Sequence, residues 1–225
     1  SHNPPQDNGY KVYLGLTGTY QSDSAMYRMF RGIEAVRKGN EGEALEHFAV
    51  AVGLEPDNVL LLRTVGAVVL RRRGYGIAII CYNKLCELLP DVKAYAINQC
   101  LCLAATGDTK TAVNKAYELN LNNESDNQVK RLLAWVLICN GNAEKALNIY
   151  DELMATDKQP DDALNIAYAQ WINGNPGEAK NSFTEWLINH PGADLEHEFK
   201  NDDYVFNLNG ITDVDRALML SAINM

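Results

Sequence analysis

"GNAEKALNIYDEL", residues 141–153, decides the fold because the chain states its plan more than once. "GDTKTAVNKAYEL" (107–119) has the same layout, and so do "GNPGEAKNSFTEW" (174–186) and "GNEGEALEHFAVA" (39–51). The second helix of each unit has a small residue at Ala44, Ala78, Ala112, Ala146 and Ala179, at steps of 34, 34, 34 and 33 residues. Four residues on comes an aromatic, Phe48, Tyr82, Tyr150 or Phe183, with Ala116 breaking the column. A second small column, Gly32, Gly66, Cys100, Ala134 and Ala167, runs at the same steps one helix earlier. Small residues there let two helix backbones approach closely. Gly39, Gly107, Gly141 and Gly174 separate the two helices of each unit, where a left-handed residue ends a helix cheaply. Pro56, Pro90 and Pro191 close their units, with Glu124 and Lys158 at the other two closing positions.

A 33–34-residue period with this Ala-x-x-x-aromatic step and a closing proline resembles the tetratricopeptide repeat family. The resemblance covers residues 25 to about 192, five repeats in register, 25–58, 59–92, 93–126, 127–159 and 160–192. The large aromatic expected early in each first helix is replaced by Arg28, Leu62, Ala96, Lys130 and Ala163. The resemblance implies an all-α fold, a right-handed solenoid of helical hairpins. One hairpin cannot bury its apolar face alone, so hairpins stack and the ends need covers. Residues 193–225 are read as the C-terminal cap: "DVDRALMLSAIN" (213–224) as an amphipathic helix N-capped by Asp213, and 194–208 as short helical turns leading to it. Residues 1–24 are read as an N-terminal extension whose segment 10–20, "YKVYLGLTGTY", alternates weakly and is expected to be extended.

Composition bounds the function. The 225 residues carry a net charge of −9 and a pI near 4.9, so the overall field repels nucleic acid and acidic membranes. The longest apolar run, Val59 to Leu70, is broken by Arg63 and too short to span a bilayer. Five cysteines, an odd number, favour buried thiols in a reducing compartment, hence the cytoplasm. The chain begins Ser1-His2 without methionine, so a leader or anchor before it stays open. Cys100 and Cys102 do not read as a metal pair, since residues two apart on a helix point about 200° apart. No phosphate loop, nucleophile elbow or paired zinc histidines occur, and the four histidines do not cluster. The expectation is a protein without catalysis, cofactor or metal.

The resemblance further implies that the first helices line a concave face that grips a partner peptide. One stripe at helical spacing gives the candidates. It runs through Met29, Ile33 and Arg37 in the first repeat, then Arg63, Ala67 and Arg71 in the second. Ile97 and Leu101 follow, then Arg131, Trp135 and Ile138, and finally Leu164, Tyr168 and Trp171. Asn98 joins them, because Arg63 and Asn98 fall loosely where relatives that clamp acidic chaperone tails place their ligands. The rest of that clamp is absent, and the apolar stripe is more like repeats that hold hydrophobic client segments. Charge is segregated by helix type. The first helices and their turns carry eleven basic and three acidic residues, the second helices five basic and twelve acidic. Apolar residues rimmed by arginine suit an acidic, amphipathic peptide of another protein. The alternative is a self-assembling repeat protein whose groove or ends are buried in a homo-oligomer. In "LRRRGYG" (70–76), Arg72 and Arg73 are read as helix-end cations, the turn glycine as shifted to Gly74, and Arg71 as a groove residue.

Overall fold

The computed structural model describes residues 24–224; the extended reading of 10–20 falls outside them. Thirteen helices and no strand occur among the described residues. Five hairpins come first: α1 (Ala25–Arg37) with α2 (Glu41–Leu54), α3 (Val59–Arg71) with α4 (Tyr75–Leu88), α5 (Lys93–Ala105) with α6 (Thr109–Leu121), α7 (Asn127–Cys139) with α8 (Ala143–Thr156), and α9 (Asp162–Ile172) with α10 (Pro176–Asn189). Two short helices, α11 (Leu195–Asn201) and α12 (Asp203–Leu208), lead to α13 (Asp213–Ile223). The chain forms two compact units that divide inside α5, between Cys102 and Leu103.

One turn design recurs in all five hairpins. The amide two residues beyond each first helix's cap reaches back to a carbonyl five residues earlier: Asn40 to Ala35, Gly74 to Val69, Asp108 to Leu103, Asn142 to Leu137 and Asn175 to Gln170, at 2.8–2.9 Å. This six-to-one bond requires a left-handed residue just before the reaching amide. Gly39, Gly107, Gly141 and Gly174 supply it, with φ from 75° to 92°. In the second hairpin the sequence expectation of a shifted glycine does not hold. Arg73 itself adopts φ 59°, while Gly74 is the N-cap of α4 at φ −75°. Gly74 is small for another reason: a Cβ there would lie 3.0 Å from Leu45 Cδ2 and 3.3 Å from Val69 Cβ. Side-chain caps start three of the first helices. Ser24, Asn58 and Asp126 each accept amide protons from the first turn of α1, α3 and α7.

The two small columns meet the aromatic column in the interior. Ala44, Ala78, Ala112, Ala146 and Ala179 are all buried, as are Phe48, Tyr82, Tyr150 and Phe183. Phe48 lies against Gly32, where a Cβ would come within 2.5 Å of the ring. In the first unit these residues join Leu61, Leu62, Val65 and Leu85 in one core, with Cys81 and Cys102 in the same cluster. Burial pushes both thiols up to about 12.

At the C-terminal end the cover differs from the sequence expectation. Only Met219 of α13 is buried, and its N-cap is Thr212, which forms a capping box with Asp215, rather than Asp213. The residues driven into the interior are Leu195, Phe199, Val205 and Phe206, from α11 and α12. Phe199 and Phe206 lie 5.1 Å apart, centroid to centroid, and both pack against Tyr168 and Trp171.

Candidate partner-binding face

In the first unit, residues 24–102, the predicted stripe splits by depth. Met29 and Ile97 are buried core. Ile33 and Ala67 are half-buried, Ile33 against that core, and Asn98 and Leu101 are half-buried on α5. Arg37, Arg63 and Arg71 are exposed. Helical geometry explains the split, because a stripe stepping three or four residues drifts around the helix and alternates between the packed side and the rim. The three guanidinium groups have no carboxylate partner among the described residues, and Arg71 Nε donates only to its own helix, to the Ala67 carbonyl at 3.2 Å. The acid on this side, Glu34, is already neutralised by Lys38 at 2.8 Å and Arg31 at 3.1 Å. The Lys38 hydrogen bond holds its carboxyl below the usual carboxylate range. The face therefore carries uncompensated positive charge beside half-buried apolar surface.

The second unit, residues 103–224, treats the same stripe differently. Arg131 clasps Asp162 with Nε and Nη2, both at 2.8 Å, and Asp157 with Nη1 at 2.8 Å. Its Nη2 also donates to the Asp157 carbonyl. Asp162 is buried and takes a further bond from the Gln159 amide at 2.9 Å. Arg131 thus makes four hydrogen bonds inside the fold, tying α7 to the start of α9, unlike the three exposed arginines of the first unit. Its side chain and Asp162 form a buried fork, the strong geometry for this pair. The two carboxylates raise the Arg131 guanidinium further above its ordinary value, and Arg131 holds Asp157 below the usual carboxylate range.

The C-terminal helices reach part of the remaining stripe of this unit. Ile138 and Tyr168 are buried, and Trp135, Leu164 and Trp171 are half-buried. The Ile138 carbonyl accepts from Asn209 Nδ2 at 3.1 Å, and Tyr168 donates to Asp202 Oδ2 at 3.3 Å. Phe199 and Phe206 cover Tyr168 and Trp171 as described above. Arg216 of α13 stacks over Phe206 at 5.3 Å and pairs with Asp203 and Asp213. Sequence reasoning missed Phe199, Phe206 and Asn209 as occupants of this stripe. No single-helix periodicity signals them, because Phe199 and Phe206 lie on separate helices, α11 and α12, on either side of Asp202.

Two negative observations bound the chemistry. Among the described residues no group of three or more His, Cys, Asp and Glu is placed to hold a metal ion, and no helix is long and apolar enough to cross a membrane.

Comparison with known proteins locates the fold. No protein-family model matches the sequence, and no curated protein matches it. Solved structures do. A thermophilic TPR protein of Thermus thermophilus is similar at 15% identity and a TM-score of 0.54, covering 81% of this chain and all of the other. A tetratricopeptide repeat protein from Parabacteroides merdae is similar at 20% identity and a TM-score of 0.53, covering 88% of this chain and 76% of the other. MamA, from residue 41 to its end, from Desulfovibrio magneticus, is similar at 16% identity and a TM-score of 0.52, covering 76% and 98%. The chain has the tetratricopeptide repeat fold.

Proposed function

We propose that the chain is a non-catalytic protein-interaction module, an adaptor or chaperone-like holder, and that it takes its partner on the first-helix face of residues 24–102. The partner segment is acidic and amphipathic, with apolar anchors against Ile33, Ala67 and Leu101 and carboxylates toward Arg37, Arg63 and Arg71. One observation carries this reading: those three arginines are exposed with no acid beside them among the described residues, whereas Arg131 of the second unit is paired with Asp157 and Asp162. Exposed guanidinium groups next to apolar surface recognise carboxylates bidentately and add little to folding. The half-buried Trp135, Leu164 and Trp171 and the buried Ile138 and Tyr168 serve the second unit's own packing in this reading. The described histidines do not suggest an acid–base site: His47 lies against Glu43 and Arg28, His190 against Asp161 and Trp186, and His197 is exposed on α11.

The test is a charge reversal that spares the core. Arg63→Glu with Arg71→Glu keeps the helical circular dichroism and weakens a fluorescein-labelled Leu/Asp amphipathic peptide by at least about tenfold, the scale of losing two charge-assisted contacts. Binding falls with added salt, because the contacts are exposed. Equal affinity of the double variant and the wild type overturns the reading.

A further inference from the structure

The second helices hold a signal that the first-helix stripe does not explain. Aligned on their buried alanines, they place the residues two, six and ten positions later in one outward row. In α6 and its C-cap that row is Asn114, Glu118 and Asn122. In α8 it is Asn148, Glu152 and Thr156, and in α10 Asn181, Glu185 and Asn189. All nine are exposed, and all are polar, as water-facing positions should be. The first unit breaks the rule at the same register. Its row is Glu46, Val50 and Leu54 in α2, and Ile80, Lys84 and Leu88 in α4. Val50, Leu54, Ile80 and Leu88 are nonetheless 43%, 51%, 55% and 37% exposed.

These residues form two ridges on neighbouring helices. α2 and α4 are in contact, and Lys84 Nζ reaches Asp57 Oδ1 beyond the end of α2 at 2.9 Å. Beside the Val50–Leu54 ridge, Ala49 and Gly53 are exposed, and a Cβ at Gly53 would meet nothing within 4 Å. Side-chain ridges flanked by small residues are what a second helix packs into. The rim is acidic. Lys84 is shared between Asp57 and Glu87, and Glu46, Glu55 and Asp91 have no cationic partner among the described residues.

We infer that this outer face of α2 and α4 docks a basic amphipathic helix of another protein. Apolar side chains at helical spacing cover Val50, Leu54, Ile80 and Leu88, and flanking Lys or Arg residues meet Glu46, Glu55 and Asp91. Charge complementarity selects this occupant. An anionic membrane is repelled by the same rim. A second copy meeting the face by two-fold symmetry brings like charge against like charge. This surface is separate from the arginine-lined first-helix face and takes the opposite charge, so the two proposals fail independently.

The experiment gives the second unit's ridge to the first unit: Val50→Glu, Leu54→Asn, Ile80→Asn and Leu88→Asn in the full chain. Fluorescence anisotropy measures binding of a labelled Leu/Lys amphipathic peptide of about 18 residues, or five helical turns. The controls are a scrambled Leu/Lys peptide and, on the Arg63→Glu/Arg71→Glu chain whose first-helix face no longer takes an acidic segment, a Leu/Glu peptide of the same pattern. The Leu/Lys peptide binds at least about tenfold more tightly than either control, and the ridge variant loses that margin. The variant is one charge more negative, so attraction by net charge alone predicts tighter binding, the opposite result. The Arg63→Glu/Arg71→Glu variant keeps the binding. Circular dichroism confirms that the ridge variant is folded; if it is not, Leu54→Asn and Ile80→Asn singly give the same comparison. The inference is overturned if the wild type does not prefer the Leu/Lys peptide to its scramble, or if folded variants bind it as the wild type does. It is also overturned if sedimentation shows a wild-type dimer that the ridge substitutions dissolve, for then the occupant is a second copy.

Discussion

Residues 24–102 and residues 103–224 are built from the same hairpin and the same six-to-one turn, yet they spend their side chains in opposite ways. In the first unit Arg37, Arg63 and Arg71 are exposed with no acid beside them among the described residues, and the outer ridge is apolar. In the second, Arg131 is enclosed by Asp157 and Asp162, Phe199 and Phe206 pack on Tyr168 and Trp171, and the outer ridge reads Asn–Glu–Asn or Asn–Glu–Thr. A repeat register fixes where a residue sits on its helix. Whether that position is surface, clamp or core depends on which neighbour arrives there.

The contrast is breakable, starting with the largest expected effect. All three tryptophans, Trp135, Trp171 and Trp186, lie in the second unit, so their emission reports that unit while circular dichroism reports both. Phe206→Ala removes a fully buried ring that packs on Tyr168, Trp171 and Phe199 and costs about 3–5 kcal/mol in urea unfolding followed by tryptophan emission. A shift below about 1 kcal/mol would show that α12 is not a structural cover. Arg131→Ala strands the buried Asp162 carboxylate and costs roughly 3 kcal/mol by the same measurement, while exposed Arg63→Ala stays within about 0.5 kcal/mol by circular dichroism. Equal effects of the two would erase the distinction between a spent and a free arginine.

Smaller effects sharpen the picture inside the first unit. Gly32→Ala forces a Cβ into the Phe48 ring and costs about 1–3 kcal/mol, more than Gly66→Ala, whose Cβ would stand 3.2 Å from Cys81 Cβ. Arg73→Gly places glycine in the left-handed position and raises stability by about 1 kcal/mol, read from the circular dichroism melt. A loss of stability instead would mean that the Arg73 side chain matters more than its backbone. The smallest effect is in pH. Arg131 lowers the folded-state value of Asp157, so the contribution of Asp157 is complete above the ordinary carboxylate value near pH 4 and disappears as pH falls through the lowered one. Asp157→Asn makes tryptophan-monitored stability fall less steeply over that acid range.

Much of this was legible in one sequence. The alanine and aromatic columns identified interior positions because burial at a fixed register needs the same size of side chain each time. The outer ridge of α2 and α4 was equally legible from the same columns, although comparing charge totals by helix type hid it. Arg131 was not, since its partners lie 26 and 31 residues away and meet it only when α7 packs beside α9. The turn at Arg73 misled for a local reason. A neighbouring glycine suggested a shift, but the six-to-one bond fixes which residue turns left-handed, and Gly74 is required by Leu45 and Val69 instead. Thr212 and Asp213 are both good caps, and only the reciprocal bond with Asp215 selects Thr212.

What the sequence by itself determined is the repeat: its period, its hairpins and the small and aromatic residues at its interior, all consequences of local helix geometry recurring every 33 or 34 residues. What only the tertiary structure decided is the fate of the inner stripe. Two phenylalanines and an asparagine from beyond the last repeat meet Tyr168, Trp171 and Ile138 in the second unit, and a buried aspartate claims Arg131. The reason is physical. Periodicity sets the direction of a side chain, whereas burial and charge pairing are set by contacts between segments far apart in the chain, which no local pattern encodes.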